Sequence, residues 1–292
     1  MDQIAKQILK KNAKTFYFAG LLLDKTTLND AAILYAFCRQ LDDAADHIND
    51  ANYQNKLENI INDFNQNESD NEINIAFKKI QKKYDLNNIF IQDLIKGVAS
   101  DIQFKQPENL KELINYCYQV AGTVGGLMSK IISANHPSAW KFAIDLGIAM
   151  QLTNISRDII EDAKMNRIYI PKDMMKHNMN CKDILNTENH DEVFGYAKQL
   201  IKLAENYYQS GMSGIYFIPS EKRFAILVAA NLYQAIGTKI LNTNSVSKRI
   251  YLSKFEKIIK MIKLFFQQKQ FYLTSEPDHN TQDLHQPYLN FS

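Results

Sequence analysis

Gln151, Asn154, Asp158 and Asp162 follow one another at steps of three, four and four residues. At 3.6 residues per turn, those steps place all four side chains on one face of a helix. Two carboxylates a turn apart repel each other, and they gain from sharing a face only when a cation sits between them. Taken alone, such a stripe is more simply a solvated acidic face. A second cluster more than a hundred residues earlier alters that reading. Tyr35, Arg39, Asp42 and Asp46 lie at steps of four, three and four, and the positions between them are largely Ala, Ile, Leu and Phe. A helix that is apolar nearly all round is buried. Burying Arg39, Asp42, Asp43 and Asp46 is costly unless they meet partners or a metal. An Arg39–Asp43 ion pair at i, i+4 is the purely structural alternative.

Six carboxylates therefore fall in two clusters: Asp42, Asp43 and Asp46, then Asp158, Glu161 and Asp162. Only His47 is near either of them, which disfavours zinc or iron. Hard oxygen donors suit Mg²⁺ or Mn²⁺, and Mg²⁺ commonly keeps waters and bridges to phosphate oxygens. Arg39, Arg157 and Arg167 suit the same anion through bidentate hydrogen bonds. The combination points to a diphosphate held by metal and arginine, with Ala, Ile, Phe and Tyr around it to receive an apolar chain. A diphosphate joined to a hydrocarbon is a prenyl diphosphate. The chemistry would be ionisation: metal stabilises the leaving diphosphate, while aromatic faces and exclusion of water protect the carbocation.

The elements that must position these groups read as helices. Scarce Gly (10) and Pro (6) in 292 residues, with no strand-like alternation, predict an all-α protein. Helical periodicity predicts a short helix over 2–12 and a buried one over 27–46. Peripheral helices follow over 53–83 and an amphipathic one over 87–104. A long helix is expected from Leu110 to Ser133, although Gly122, Gly125 and Gly126 would each cost roughly 1 kcal/mol in its interior. They call for close approach of a helix or a ligand. The acidic helix spans about 139–163, with Arg167 and Tyr169 just past its C-terminal end. Further helices are expected over 191–210, 223–241 with Tyr233 inside, and 254–271. The last mixes lysines with Phe and Ile; it can lie on a membrane surface or pack on the body. Lys14–Gly20 is either an anion-binding stretch or a loop packing its aromatics inward. No composition shift marks a boundary, so one domain is expected over 1–273, followed by a loose tail over 274–292.

A net charge of +2 gives no nucleic-acid signal. Three separated cysteines, no signal-like apolar run at the start and no uninterrupted apolar span of about 18 residues predict a cytoplasmic protein, at most peripheral to a membrane.

Two long motifs carry a family resemblance. Tyr35-Ala-Phe-Cys-Arg-Gln-Leu-Asp-Asp-Ala-Ala-Asp46 and the stretch from Gln151 through Ile-Glu-Asp162 to Arg167-Ile-Tyr-Ile-Pro171 resemble the two signatures of squalene/phytoene synthases. Shorter matches lie at Lys14-Thr-Phe16, Tyr116–Gly125, Leu232–Gly237 and Arg249–Ser253. The resemblance implies an isoprenoid-synthase helical bundle with a central cavity, and head-to-head joining of two prenyl diphosphates. It implies Asp42 and Asp46 as one set of metal ligands, and Asn154, Asp158 and Asp162 as the other. Arg39, Arg157, Tyr233 and Arg249 are implied as diphosphate contacts, together with Lys14 and Thr15, although Ala13 stands where many members carry serine. Tyr116 and Gln151 are implied near the reacting carbons; Tyr35, Arg167 and Tyr169 fall inside the same signatures. NADPH would be needed only for squalene, and no Gly-x-Gly-x-x-Gly fingerprint is present. Phytoene from two C20 substrates is expected ahead of squalene, dehydrosqualene or presqualene diphosphate from two C15 substrates. A catalytically silent scaffold on the same fold would have eroded aspartates, and these are intact.

Overall fold

Helix formation follows the apolar periodicity closely. The computed structural model describes residues 1–46, 53–66, 69–243 and 249–279, leaving aside the side chains of Asp46, Tyr53 and Gln54. In chain order the α-helices are α1 (Asp2–Asn12), α2 (Lys14–Gly20), α3 (Lys25–Asp46), α4 (Tyr53–Asn65), α5 (Glu72–Tyr84), α6 (Asn88–Ser100) and α7 (Leu110–Cys117). They continue as α8 (Thr123–Ile131), α9 (Ala139–Lys164), α10 (Cys181–Leu185), α11 (His190–Ser213), α12 (Ser220–Leu241) and α13 (Lys254–Gln267). Among the described residues there is no strand.

The acidic helix expected from the sequence is α9, the longest element, and it is the hub. It packs against α11, α8 and α12, while α3 packs against α1, α4, α5, α6 and α8. Its buried face carries Phe142, Ile148, Leu152, Ile155 and Ile159. Burial of such side chains, at about 1.5–3 kcal/mol each, is what holds α9 in place.

The glycine-rich segment is helical throughout, with one π turn over Tyr118–Gly122 between α7 and α8. Backbone approach accounts for two of its features. A Cβ on Gly125 would lie 2.1 Å from the Ala143 carbonyl oxygen, and one on Gly147 would lie 2.3 Å from that of Ala121. The α9 backbone therefore touches that of α8 at Gly125 and that of the π turn at Ala121, and only glycine permits it.

Some expectations differ in detail. Lys14–Gly20 is a helix rather than a loop; it is set off from α1 by a non-helical Ala13, and its Phe16 does pack inward. The cap of α3 is Asp24, which accepts from the Thr26 and Thr27 amides and the Thr27 hydroxyl, so the helix starts two residues earlier than the Thr27 signal suggested. The tail expected to be loose is docked at one point: the His279 side chain is only 4% exposed and lies 2.9 Å from the buried Asp145 of α9. Residues 280–292 lie outside the described part. Helix α12 is long and apolar enough to cross a membrane by length and composition, but it is mostly buried against α9, α11 and α2.

Candidate active site

A cavity of about 340 Å³ opens between α2, α3, α8, α9, α11 and α12. Helix α9 supplies one wall from its start to Asn154: Phe142, Leu146, Met150, Gln151 and Asn154 all line it. Across from them stand Tyr35, Cys38 and Asp42 of α3. The two sequence clusters therefore share one cavity, through Asp42 on one side and Gln151 and Asn154 on the other. Most of the remaining lining is apolar. The small residues Ala19, Gly20 and Ala31 leave space on one side, and Ala225 and Ala229 on another.

One turn beyond Asn154, Asp158 is gripped from two directions. Arg157 donates Nε and Nη2 to its two oxygens at 2.8 and 2.5 Å. Arg249, arriving from a segment 91 residues later, donates the same pair of groups at 2.8 and 2.9 Å. Burial alone would raise the Asp158 carboxyl, but the Arg157 and then Arg249 contacts outweigh it and hold it below the ordinary range. Tyr233 is buried beside this cluster, where Arg157, Asp158 and Arg249 all act on its hydroxyl, and its ring stacks on Phe16 at 4.8 Å.

A second cluster forms one further turn along α9. Burial first, then the Asp158 charge, pushes the Asp162 carboxyl up to about 8; Arg167 opposes this, while Asp101 and Glu161 add to it. Arg167 is buried and donates to the carbonyls of Ala45 and Asp101 at 3.1 and 3.3 Å. Asp101 in turn accepts from Tyr116 at 2.8 Å and Tyr169 at 2.9 Å, and those two rings stack at 4.9 Å. Sequence reasoning missed Asp101. It follows the end of α6, outside any helical stripe, and its site is assembled from segments up to 68 residues away.

Not every expected residue joins these clusters. Arg39 is paired with Asp43, so the ion-pair alternative describes its contact; its Nε has no hydrogen-bond partner. Tyr116 lines an adjoining pocket with Asp101, Gln119 and Tyr169 instead of the central cavity. Lys14 is exposed and Thr15 half-buried on α2; Lys14 comes close enough to Lys257 to reinforce the effect of burial in lowering that ammonium's pKa. The Asp46 side chain lies outside the described residues.

A divalent metal suits this donor set. Asn154 Oδ1 is buried with no hydrogen-bond partner, and it is stacked on one face with Asp158 and Asp162, in the cavity that Asp42 also lines. A buried acceptor without a donor is uncommon, and a cation would satisfy it. Among the described residues no three carboxylate, histidine or cysteine side chains are already gathered around one point, so neighbouring groups and substrate oxygens would have to complete the shell.

Known proteins resemble this chain in sequence and in fold. The chain is 30% identical over 251 residues to a 15-cis-phytoene synthase of Pantoea ananas, covering 81% of each. It is 32% identical over 268 residues to a 4,4'-diapophytoene synthase of Staphylococcus haemolyticus, covering 87% of this chain and 93% of that one. A crystal structure of a dehydrosqualene synthase with bound ligand superposes with a TM-score of 0.81 at 29% identity, over 92% and 96% of the two chains. A squalene synthase from Alicyclobacillus acidocaldarius shares the fold at a TM-score of 0.72 and 20% identity, over 82% and 93% of the two chains. The squalene/phytoene synthase profile matches residues 9–256, a span that contains both acidic motifs and Arg249. With the profile, the relatives and the bundle in agreement, the chain belongs to the squalene/phytoene synthase family.

Proposed function

We propose that this protein joins two C20 prenyl diphosphates head to head, giving phytoene, with Mg²⁺ as the metal. The observation that carries the reading is α9 itself: it runs from apolar cavity lining at Phe142, through Gln151 and Asn154, to the arginine-clamped Asp158. At 1.5 Å per residue, Phe142 to Asp158 spans about 24 Å. An isoprene unit adds four chain bonds, about 5 Å when extended by ordinary bond geometry. Four units measure about 20 Å and leave room for a diphosphate near Asp158, whereas three units, about 15 Å, would stop short of Phe142.

Asp42, Asn154, Asp158 and Asp162, with Asp46, would hold Mg²⁺, which when bound supplies positive charge to the departing diphosphate. Arg157 and Arg249 are placed to take up the same charge, bidentately, by exchanging Asp158 for phosphate oxygens. In the first step the C1–O bond of one substrate breaks and diphosphate leaves. The double bond of the second substrate attacks the allylic cation, and loss of a proton closes a cyclopropane. In the second step the remaining C1–O bond breaks, the ring rearranges, and loss of another proton gives the triene centre of the product. The walls formed by Tyr35 and by Phe16, whose ring is backed by that of Tyr233, keep water from the cation and offer it aromatic faces. Asp101 fixes the Tyr116 and Tyr169 hydroxyls near Asp162.

The names of the Staphylococcus relative and of the dehydrosqualene synthase structure favour a second reading, in which two C15 substrates give dehydrosqualene. One assay separates the two: product analysis with C15 and C20 diphosphates, with Mg²⁺ and with or without NADPH. Phytoene from C20 substrate, independent of NADPH, is expected. A C30 product alone would reverse the chain-length assignment, and no coupled hydrocarbon from either substrate would refute the reaction.

A further inference from the structure

Helix α13 has two apolar faces, and the protein uses one. Leu264 and the stem of Lys257 are buried against the body, and Phe265 meets Phe224 of α12 edge-on at 5.9 Å. On the opposite side, Phe255, Ile259, Ile262 and Phe266 recur at steps of four, three and four, so they stand in one row. Phe255 is 72% exposed, Phe266 80%, and both isoleucines 49%. Ile258 and Tyr251 extend the patch. Lone exposed apolar residues are ordinary, but a continuous row of this size on a soluble surface marks a contact.

The charges flanking the row say what the contact is. Lys254, Lys260 and Lys263 are exposed and border it on the helical wheel, two on one side and one on the other. The single acid of the helix, Glu256, is already held by Lys239 at 2.6 Å and by its capping contact with Ser253. An apolar row edged by unopposed ammonium groups matches an anionic lipid surface, with the rings in the acyl boundary and the lysines among phosphates. A second copy fits less well, because a two-fold pairing of this face would set the same lysines against each other.

We propose that α13 docks this protein onto anionic bilayers through Phe255, Ile259, Ile262 and Phe266. The reading goes beyond the proposed reaction and does not depend on it. The helix starts five residues after Arg249, which grips Asp158, and Phe265 near its far end packs on Phe224, next to the cavity-lining Ala225 and Ile226. It thus lies along the flank of the cavity, where a bilayer would be beside the route of any long-chain ligand.

The test is co-sedimentation of the full chain with vesicles of phosphatidylcholine alone and of phosphatidylcholine with phosphatidylglycerol. Binding is expected to the anionic vesicles and to weaken with added salt. Phe255→Ser/Phe266→Ser should lower the partition coefficient by about tenfold or more, and Lys260→Gln/Lys263→Gln should remove the preference for anionic lipid. Both variants change only exposed side chains, so circular dichroism and turnover on detergent-dispersed substrate should match the parent. Independently of these, Phe266→Trp should add emission that brominated lipid quenches. Failure of the parent to bind anionic vesicles, or equal binding by the Phe255/Phe266 variant, would overturn the proposal. So would a dimer that needs this face in the absence of vesicle binding, or vesicle binding that appears only after residues 280–292 are removed.

Discussion

Arg249→Gln separates a structural role for the mouth arginine from a role in the reaction. The side chain donates two hydrogen bonds to Asp158 at 2.8 and 2.9 Å, yet it is 56% exposed. Asp158 keeps a second bidentate partner in Arg157, so removing the Arg249 charge strands no buried carboxylate. The folding contribution of a pair this exposed is at most about 1 kcal/mol. For a protein of this size, that lowers Tm by about 2 °C. The expected effect on catalysis is far larger. A charge-assisted, bidentate contact that strengthens as diphosphate departs is worth about 2–4 kcal/mol in the transition state. That corresponds to a loss of roughly 30- to 1000-fold in kcat/KM. Thermal melts and continuous diphosphate-release kinetics on the same preparations give both numbers, and Arg249→Lys should recover part of the rate because it keeps the charge but not the fork. A Tm drop of the expected size with kcat/KM within threefold of the parent would refute the reasoning and leave Arg249 as a strut for Asp158.

Four further outcomes follow from the same geometry. The Asp162 carboxyl is raised from an ordinary 3.8 to about 8, so the folded metal-free protein holds a proton that the unfolded chain releases, and stability should fall as pH rises through that window; Asp162→Asn should abolish that decline in urea titrations. Because Mg²⁺ must displace the proton, its apparent affinity should be about tenfold weaker at pH 7 than on the plateau above about pH 9, with proton release visible by calorimetry in buffers of different ionisation enthalpy. Ala225→Phe should fill the cavity beside its floor and shift kcat/KM from C20 toward C15 substrate by about tenfold or more, read in mixed-substrate product ratios; an unchanged ratio would remove Ala225 from the chain-length wall. Gly147→Ala puts a methyl 2.3 Å from the Ala121 carbonyl oxygen and should destabilise by about 1–3 kcal/mol in urea unfolding, since neither backbone can yield alone.

Much of the site was legible because helices write their faces into the sequence at fixed steps. Gln151, Asn154, Asp158 and Asp162 needed only 3.6 residues per turn to be stacked, and the apolar surroundings of Asp42 were enough to turn it toward the cavity, where it is half-buried. Partner choice was not legible. Arg39 had acids at three and four residues to pick from, and it took Asp43; backbone context and not spacing makes that choice. Asp101 showed no periodic partner, because its tyrosines come from α7 and from the loop after α9. Lys14–Gly20 read as loop-like because its aromatics compete poorly for helix, yet stacking of Phe16 on Tyr233 and packing on α12 supply what propensity lacks. His279 belongs to a polar stretch with no apolar pattern, and the buried Asp145, 134 residues away, together with the ring of Phe142 gives it a place.

The π turn over Tyr118–Gly122 has a consequence for register. A π turn holds one residue more than the α-helix it interrupts, and one residue is a rotation of about 100°. The turn thus works as a fixed angular offset between α7 and α8. Upstream, Tyr116 is aimed at Asp101; downstream, Gly125 is aimed at Ala143 and Gly126 at the ring of Phe90. An uninterrupted helix could satisfy only one side of that offset. Deleting a single residue here would leave a better helix and a misaligned protein, with either the tyrosine or the glycines swung a quarter-turn off target.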